Sequence, residues 1–287
     1  MSLRIRLSAL DNGPWLQLRE SWAVRWDSLT VHARAHRYER ADLASCCLFI
    51  GHPRSGHSAV GSVLDAHPDA LVAHRLDAMR YIERGYSPAM LSSMIVGNVR
   101  RFTPGGRRLT GYSYAMPGSW QGRVRDLRVI GDQEGRLTAL RLARNPAGLD
   151  AFEQRWSVPV RLLHVTRNPY DNITTWALRR MTDLESTVEA YFGICHEVAS
   201  ICEHRGGAGV LHLRHEEFLA RPRELTATMC DFAGLRTDPE HLDQAARLLY
   251  PTPHRSRHTL PWPPHLIARV AREAEAFTFL DGYDWDN

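Results

Sequence analysis

Lysine is absent. All 36 basic residues of this 287-residue chain are arginines. That excludes lysine Schiff-base chemistry and an ammonium group held against a phosphate. A bound anion must be gripped by Arg, His or backbone N–H groups. Arginine suits the task, because its planar fork donates two parallel bonds to phosphate or sulfate oxygens. Cysteine is scarce as well. Cys46, Cys47, Cys195, Cys202 and Cys230 contain no CxxC pair, so their spacing gives neither a disulfide framework nor a zinc site, and a reducing compartment is expected. No apolar run reaches the roughly 18 residues of a membrane span. The first ten residues carry Arg4 and Arg6 inside their apolar run, with no cleavable apolar region behind them. The expected location is the cytoplasm.

Strong charge of one sign is also lacking. The formal net charge is +4 with His neutral, a mild excess that does not point to nucleic acid. A composition of 44% hydrophobic and 24% charged residues is that of a folded globular chain. The length suits one α/β domain over 1–287, and no internal repeat, low-complexity tract or linker divides it. Oligomeric state stays open, a homo-oligomer included.

Residues 12–44 mix Trp15, Trp22 and Trp26 with many Arg and read as an N-terminal segment covering a sheet edge. Cys46 to Ile50 is a short apolar run closed by Gly51, the pattern of a buried parallel strand. Leu127–Gly131, Val160–Val165 and Val210–Leu213 read the same way. Helical spacing follows in Ser58–Ala66. Ser87-Pro88 is an N-cap and first helical position for a helix through Phe102. Asn168-Pro169 opens a helix to about Met181, and Asp183 caps another from Leu184 to His204. The stretch 104–122, rich in Gly, Ser, Tyr and Pro, reads as a long loop, and long loops in compact domains are often lids or binding loops. Strands alternating with helices predict a central parallel sheet flanked by helices.

Gly51-His52-Pro53-Arg54-Ser55-Gly56-His57-Ser58 follows the first strand and opens a helix. It has the G-x-x-x-x-G-K-[ST] spacing of a phosphate loop, with His57 in place of Lys. Successive backbone N–H groups would form an anion nest, reinforced by the positive end of the helix. Arg54 supplies a fixed charge inside the loop. A donor with a single 5′-phosphate and a sulfate needs no γ-phosphate clamp and no metal. The second anion motif is Val165-Thr166-Arg167-Asn168-Pro169-Tyr170-Asp171, again at a strand end and helix start, with Thr175 eight residues after Arg167. A guanidinium and a hydroxyl on one side suit a dianionic phosphate. A nucleotide site where parallel strands end agrees with the switch-point rule for open sheets.

The run Phe49 to Ser58, continuing through Leu64-Asp65-Ala66-His67-Pro68, resembles the 5′-phosphosulfate loop of the sulfotransferase family, usually F-I-x-G-x-P-R-S-G-T-T followed by L-L-x-x-H-P. His57 replaces the usual Thr. Arg167 to Thr175 resembles the family's 3′-phosphate motif, with Asn168 replacing the usual Asp. The resemblance implies a sulfotransferase-type α/β fold and 3′-phosphoadenosine 5′-phosphosulfate (PAPS) as sulfuryl donor, with 3′,5′-adenosine bisphosphate (PAP) as product and no metal. It implies that Pro53, Arg54, Ser55, Gly56, His57, Ser58, Arg167 and Thr175 hold the nucleotide. It also implies a basic segment near the C-terminus over the 3′-phosphate, for which Arg255 and Arg257, within 251–264, are the candidates.

The acceptor is expected to be a hydroxyl of a small molecule, glycan or lipid. The general base is open between His74 and Asp132, with Asp77 close to the first. In some glycan and tyrosine sulfotransferases a Glu shortly after the H-P does this work; here Arg75 stands there, and the adjacent His74 has suitable chemistry. Asp132, ending a strand on the same edge, reads equally as base, acceptor contact or helix N-cap. Arg54 and His57 are expected to stabilise charge on the leaving phosphate. Tyr112, Tyr114, Met116 and Trp120 in the 104–122 loop offer faces for an acceptor. Two other readings stay open: a phosphate-loop kinase-like phosphotransferase, and a sulfotransferase-like nucleotide-binding protein without catalysis.

Overall fold

The computed structural model describes residues 35–39, 41–109, 112–207, 209–248 and 253–287. Five strands form one parallel sheet: β1 (Ser45–Ile50), β2 (Ala70–Ala73), β5 (Val129–Asp132), β6 (Val160–Thr166) and β7 (Val210–Arg214), in the order β2-β5-β1-β6-β7. A separate antiparallel pair, β3 (Arg108–Leu109) and β4 (Tyr112–Ser113), lies between β2 and β5 in sequence. Every residue of β1 is buried, as a central strand covered on both faces requires. One cluster, built on Leu48, Ile50, Ile130 and Leu162, fills one side of the sheet. A second, built on Cys47, Phe49, Leu163 and Leu213, fills the other. Alternate residues of each strand thus feed opposite cores.

The helices are α1 (His57–Leu64), α2 (Ala78–Glu83), α3 (Pro88–Phe102), α4 (Gly135–Arg144), α5 (Ala147–Trp156), α6 (Pro169–Arg180), α7 (Leu184–Arg205), α8 (His215–Ala220), α9 (Pro222–Ala233), α10 (Pro239–Leu248) and α11 (Pro264–Ala274). Their starts follow the expected chemistry. Ser87 Oγ accepts from Met90 N–H at 3.3 Å and caps α3, Asn168 Oδ1 accepts from Tyr170 N–H at 3.1 Å at α6, and Asp183 Oδ1 accepts from Ser186 N–H at 2.7 Å at α7. No helix among the described residues is long and apolar enough to cross a membrane.

Two readings change. The strand β2 was hidden in Ala-Leu-Val-Ala, four residues too short to show a period. The 104–122 stretch is not a bare loop: it holds the β3–β4 hairpin, and Gln121 staples it down. The Gln121 amide accepts from Met116 N–H (2.8 Å) and donates to the Tyr114 (2.9 Å) and Ser62 (3.1 Å) carbonyls. The covering segment expected over 1–44 falls almost wholly outside the described residues.

Candidate functional site

Strand β1 pairs with β6 in parallel register, Ile50 opposite His164, so the loop after β1 and the motif after β6 emerge side by side. The phosphate loop turns through Gly51 (φ 109), Arg54 (φ 70) and Gly56 (φ 98). A Cβ on Gly51 would stand 2.7 Å from His164 Cδ2, and one on Gly56 would stand 2.3 Å from His215 Nδ1. Both positions therefore demand glycine twice over, by dihedral angle and by space. Arg54 adopts the left-handed conformation without being glycine, a strain of the kind concentrated at functional sites. Asn172 on α6 braces the loop. With its amide oriented to satisfy both groups, its nitrogen donates to the Pro53 carbonyl (3.0 Å) and its oxygen accepts from Ser55 N–H (3.3 Å). The Ser55 amide is thereby used internally, and the Ala59 and Val60 amides donate to the Gly56 carbonyl as the helix begins, so the amides of Gly56, His57 and Ser58 are the ones a bound anion would meet.

The two anion motifs meet. Arg167 is 9% exposed, and its Nη1 donates toward both the Arg54 carbonyl and Thr175 Oγ1, each at 3.4 Å. Its Nη2 donates to the His254 carbonyl and toward Ser256 Oγ (3.4 Å). Ser256 and Thr175 hydroxyls lie 2.8 Å apart, and Ser256 Oγ donates to the Asp171 carbonyl at 2.8 Å. Arg167 Nε is buried with no partner among the described residues, and so is His215 Nδ1, whose ring lies against Gly56. A buried polar atom left unmatched is costly; a bound anion would satisfy Arg167 Nε, and His215 Nδ1 in the tautomer that carries the proton there. Burial lowers the Arg167 pKa, which leaves the guanidinium still charged at neutral pH.

His57 is half-buried, with Nδ1 3.4 Å from Ser55 Oγ. Burial, helped by Arg75, holds its pKa down at about 4. It is neutral at pH 7 and offers one N–H. Ser58 shares a hydrogen bond with Tyr114 of the hairpin. Of the aromatic group expected in 104–122, Met116 is buried, and Trp120 is half-buried beneath the Arg123 guanidinium, 5.0 Å from its ring centre. Tyr112 is 55% exposed.

His74 stacks on Phe102, ring centres 4.0 Å apart, and its Nδ1 meets the Gln133 side-chain amide. Its Nε2 is buried without a partner among the described residues. Burial, then Arg75 and His57, push its pKa down to about 4. Arg75 pairs with Glu134 at 3.2 Å.

The structure corrects three assignments. Asp132 is fully buried, and its two oxygens accept from Leu76 N–H (3.0 Å) and Ala78 N–H (2.8 Å). It shapes the turn after β2 rather than facing an acceptor. Burial raises its pKa to about 7 despite those bonds. The cap of α4 is Glu134, which accepts from Leu137 N–H. Arg257 is 1% exposed and clasps Asp171, with Nη2 to Oδ2 at 2.7 Å and Nε to Oδ1 at 3.1 Å, so its charge is spent inside the protein. Arg255 is exposed and donates to the Asp286 carbonyl. This segment meets Arg167 through the His254 carbonyl and the Ser256 hydroxyl, and Thr175 through Ser256, groups that a search for charge alone passes over.

Sequence reasoning also missed His215, Asn172 and Glu216. Glu216 Oε1 accepts from Asn168 N–H at 2.9 Å and orients the second motif. The available signal was topological: residues just after β7 lie at the same sheet edge as those after β1 and β6. Among the described residues His67, Cys230 and His241 are the one group close enough to hold a metal. Both His67 nitrogens already bond to backbone, Nε2 to the Arg236 carbonyl (2.9 Å) and Nδ1 to Asp69 N–H (3.0 Å), and His241 Nε2 bonds to the Val63 carbonyl (2.8 Å). The trio reads as core packing.

No family model and no curated protein matches the sequence. Among solved structures, the chain is similar to the sulfotransferase domain of the olefin synthase of Synechococcus PCC 7002, at 16% identity and a TM-score of 0.48 over 83% of this chain and 96% of that domain. It is similar to the sulfotransferase STF9 of Mycobacterium avium, at 10% identity and a TM-score of 0.49 over 86% of this chain and 81% of that one. It is also similar to mouse sulfotransferase SULT7A1, solved with PAP, at 14% identity and a TM-score of 0.45 over 85% of this chain and 88% of that one.

Proposed function

We propose that this protein is a sulfotransferase that uses PAPS to sulfate a hydroxyl acceptor. One observation carries the reading: Arg167 reaches the Arg54 carbonyl, Thr175 and Ser256 from a single position. A loop for a 5′-phosphosulfate and a guanidinium–hydroxyl cluster for a 3′-phosphate thus stand at neighbouring strand ends, where one adenosine nucleotide can engage both.

In the proposed reaction the acceptor oxygen attacks the sulfur in line. The bond between that oxygen and sulfur forms as the bond from sulfur to the 5′-phosphate oxygen breaks, and PAP leaves. Catalysis of such a transfer rests mainly on positioning and on stabilising charge. Arg54, the neutral His57 N–H and the loop amides serve the leaving phosphate; Arg167, Thr175 and Ser256 hold the 3′-phosphate. His74 takes the acceptor proton at Nε2. The Gln133 nitrogen meets Nδ1 in the structure, so the base role requires the Gln133 amide to turn and present its oxygen to an Nδ1 proton. The protein is assigned to the cytoplasm, and Tyr112 and Tyr114 to the acceptor side.

Thermal shift with PAP, 5′-AMP and ATP–Mg²⁺ tests the reading, because a ligand that binds only the native state raises the melting temperature. PAP should stabilise most. Stabilisation by ATP–Mg²⁺ above PAP would replace the reading with a kinase-like one, and PAP binding without transfer to any acceptor would leave a nucleotide-binding protein.

A further inference from the structure

Tyr114 is tied to the helix of the phosphate loop from two sides. The first tie is Gln121. Its side-chain nitrogen donates to the Tyr114 carbonyl (2.9 Å) and to the Ser62 carbonyl (3.1 Å). Ser62 lies in the last turn of α1, where carbonyls have no partner further along the helix. Its neighbours in that turn take backbone donors: Gly61 from Asp65 N–H (2.9 Å), Val63 from Ala66 N–H (3.1 Å) and Leu64 from His67 N–H (3.2 Å). Ser62 takes the Gln121 amide instead. The second tie is Arg107. Its carbonyl accepts from Tyr114 N–H at 3.1 Å, and its guanidinium pairs at 2.6 Å with Asp65, the residue that closes α1. Arg107 and Asp65 are both buried, so water does not compete for the pair.

These ties set where the phenol goes. Ser58 and Ser62 are four residues apart on α1 and share a face of it. With the Tyr114 backbone pinned at Ser62, its side chain runs back along about one turn of helix, roughly 5.4 Å, and its hydroxyl meets the Ser58 side chain. Ser58 stands at the [ST] position of the phosphate loop, and its amide is among those that would meet an anion. Burial raises the Tyr114 pKa, so the phenol keeps its proton and can donate. A serine hydroxyl has one proton to give. Once that proton goes to an anion in the loop, Ser58 Oγ can only accept from Tyr114.

Resting on the nucleotide part of the sulfotransferase reading, we infer that Tyr114 is a positioning residue for the donor: its hydroxyl holds the Ser58 hydroxyl turned toward the 5′-phosphate end of the nucleotide. The ring face stays on the acceptor side while the hydroxyl works on the donor side. Linked hydrogen bonds polarise one another, so the Tyr114 hydroxyl strengthens the bond that Ser58 makes to the anion.

Isothermal titration of the full chain with PAP and with adenosine 3′-phosphate, which lacks the 5′-phosphate, tests this on Tyr114→Phe, Ser58→Ala and the double variant. Tyr114→Phe keeps the ring and both backbone ties, so it removes the hydroxyl alone. It should bind PAP about fivefold more weakly, the scale of one hydrogen bond, and adenosine 3′-phosphate as the parent does. The double variant should bind PAP no more weakly than Ser58→Ala, because Tyr114 acts through Ser58. The inference is overturned if Tyr114→Phe matches the parent for PAP, if it weakens both ligands alike, as a merely structural hairpin would, or if the two single losses add in the double variant. Should the parent bind ATP–Mg²⁺ and not PAP, the sulfotransferase reading falls, and the same cycle with ATP against adenosine still decides Tyr114. A parent that binds neither overturns both.

Discussion

Arg257 and Asp171 form a two-point ion pair inside the protein, 2.7 and 3.1 Å between their paired atoms, with Arg257 1% and Asp171 3% exposed. The pair ties the C-terminal segment to the helix that carries the second anion motif. Arg257 also donates to the Asp284 (3.1 Å) and Trp285 (2.6 Å) carbonyls, so one side chain joins three parts of the chain. The same clasp places Ser256 against Arg167 and Thr175.

Arg257→Ala should therefore act first on stability. It leaves Asp171 charged and buried without its partner, a change that costs about 3–5 kcal/mol. Urea unfolding monitored by tryptophan fluorescence measures it. PAP affinity should fall too, because Ser256 loses its anchor. A variant of unchanged stability would return Arg257 to the role of a solvated phosphate ligand.

That residue also marks how far the sequence could be read. The strands β1, β5, β6 and β7 were legible because buried parallel strands are unbroken apolar runs, and the caps at Ser87, Asn168 and Asp183 because capping chemistry is local. The two anion motifs were legible for the same reason: each lies within one stretch of chain. What stayed hidden depends on partners distant in sequence. Nothing near Arg257 announces Asp171, 86 residues away. Nothing near Asp132 announces the amides of Leu76 and Ala78. Charge in a sequence shows that a group must be compensated, and only the fold shows whether a protein group or a ligand does it.

Arg167→Ala should reduce PAP affinity by roughly ten- to a hundredfold, the scale of a lost charge-assisted hydrogen bond or two. Affinity for 5′-AMP, which lacks the 3′-phosphate, should change far less. Isothermal titration with both ligands separates the effects. Equal losses for the two would detach Arg167 from the 3′-phosphate.

His74→Ala should leave PAP binding near the parent value and slow transfer by about 10²–10⁴-fold, the usual reach of general-base catalysis. The pH profile adds a sharper check. A base must be neutral, and the His74 pKa is held down at about 4 by burial and by Arg75. Its contribution should therefore be constant from pH 8 down to about 5 and disappear only as pH approaches 4. Gln133→Leu should slow transfer without moving the PAP thermal shift, since its amide acts through the ring and not on the donor. A rate that falls through pH 6.5 in the parent would assign the base to a solvent-exposed imidazole elsewhere.

Acid should unfold this protein early. His52, His57, His74, His215 and His241 are each held at about 4, chiefly by burial, and His164, bonded Nδ1 to Nδ1 with His212 at 3.0 Å inside the sheet, lies well below its ordinary value. In the unfolded chain these imidazoles take up protons near pH 6.5, while the folded chain refuses them. Stability is therefore full above pH 6.5 and falls as pH drops toward 4. Two carboxyls oppose the trend: Asp65 and Asp132, raised to about 6 and about 7 by burial, protonate first in the folded state and favour it on acidification. Six imidazoles against two carboxyls leave a net loss. The melting temperature should peak between pH 7 and 8 and drop by at least about 5 °C by pH 5. His164→Asn, which removes the deepest of these imidazoles, should make that drop shallower whatever it does to the melting temperature at pH 7. A melting temperature that rises on acidification would mean that the carboxyls outweigh the histidines and that the buried rings are reached by water before the fold gives way.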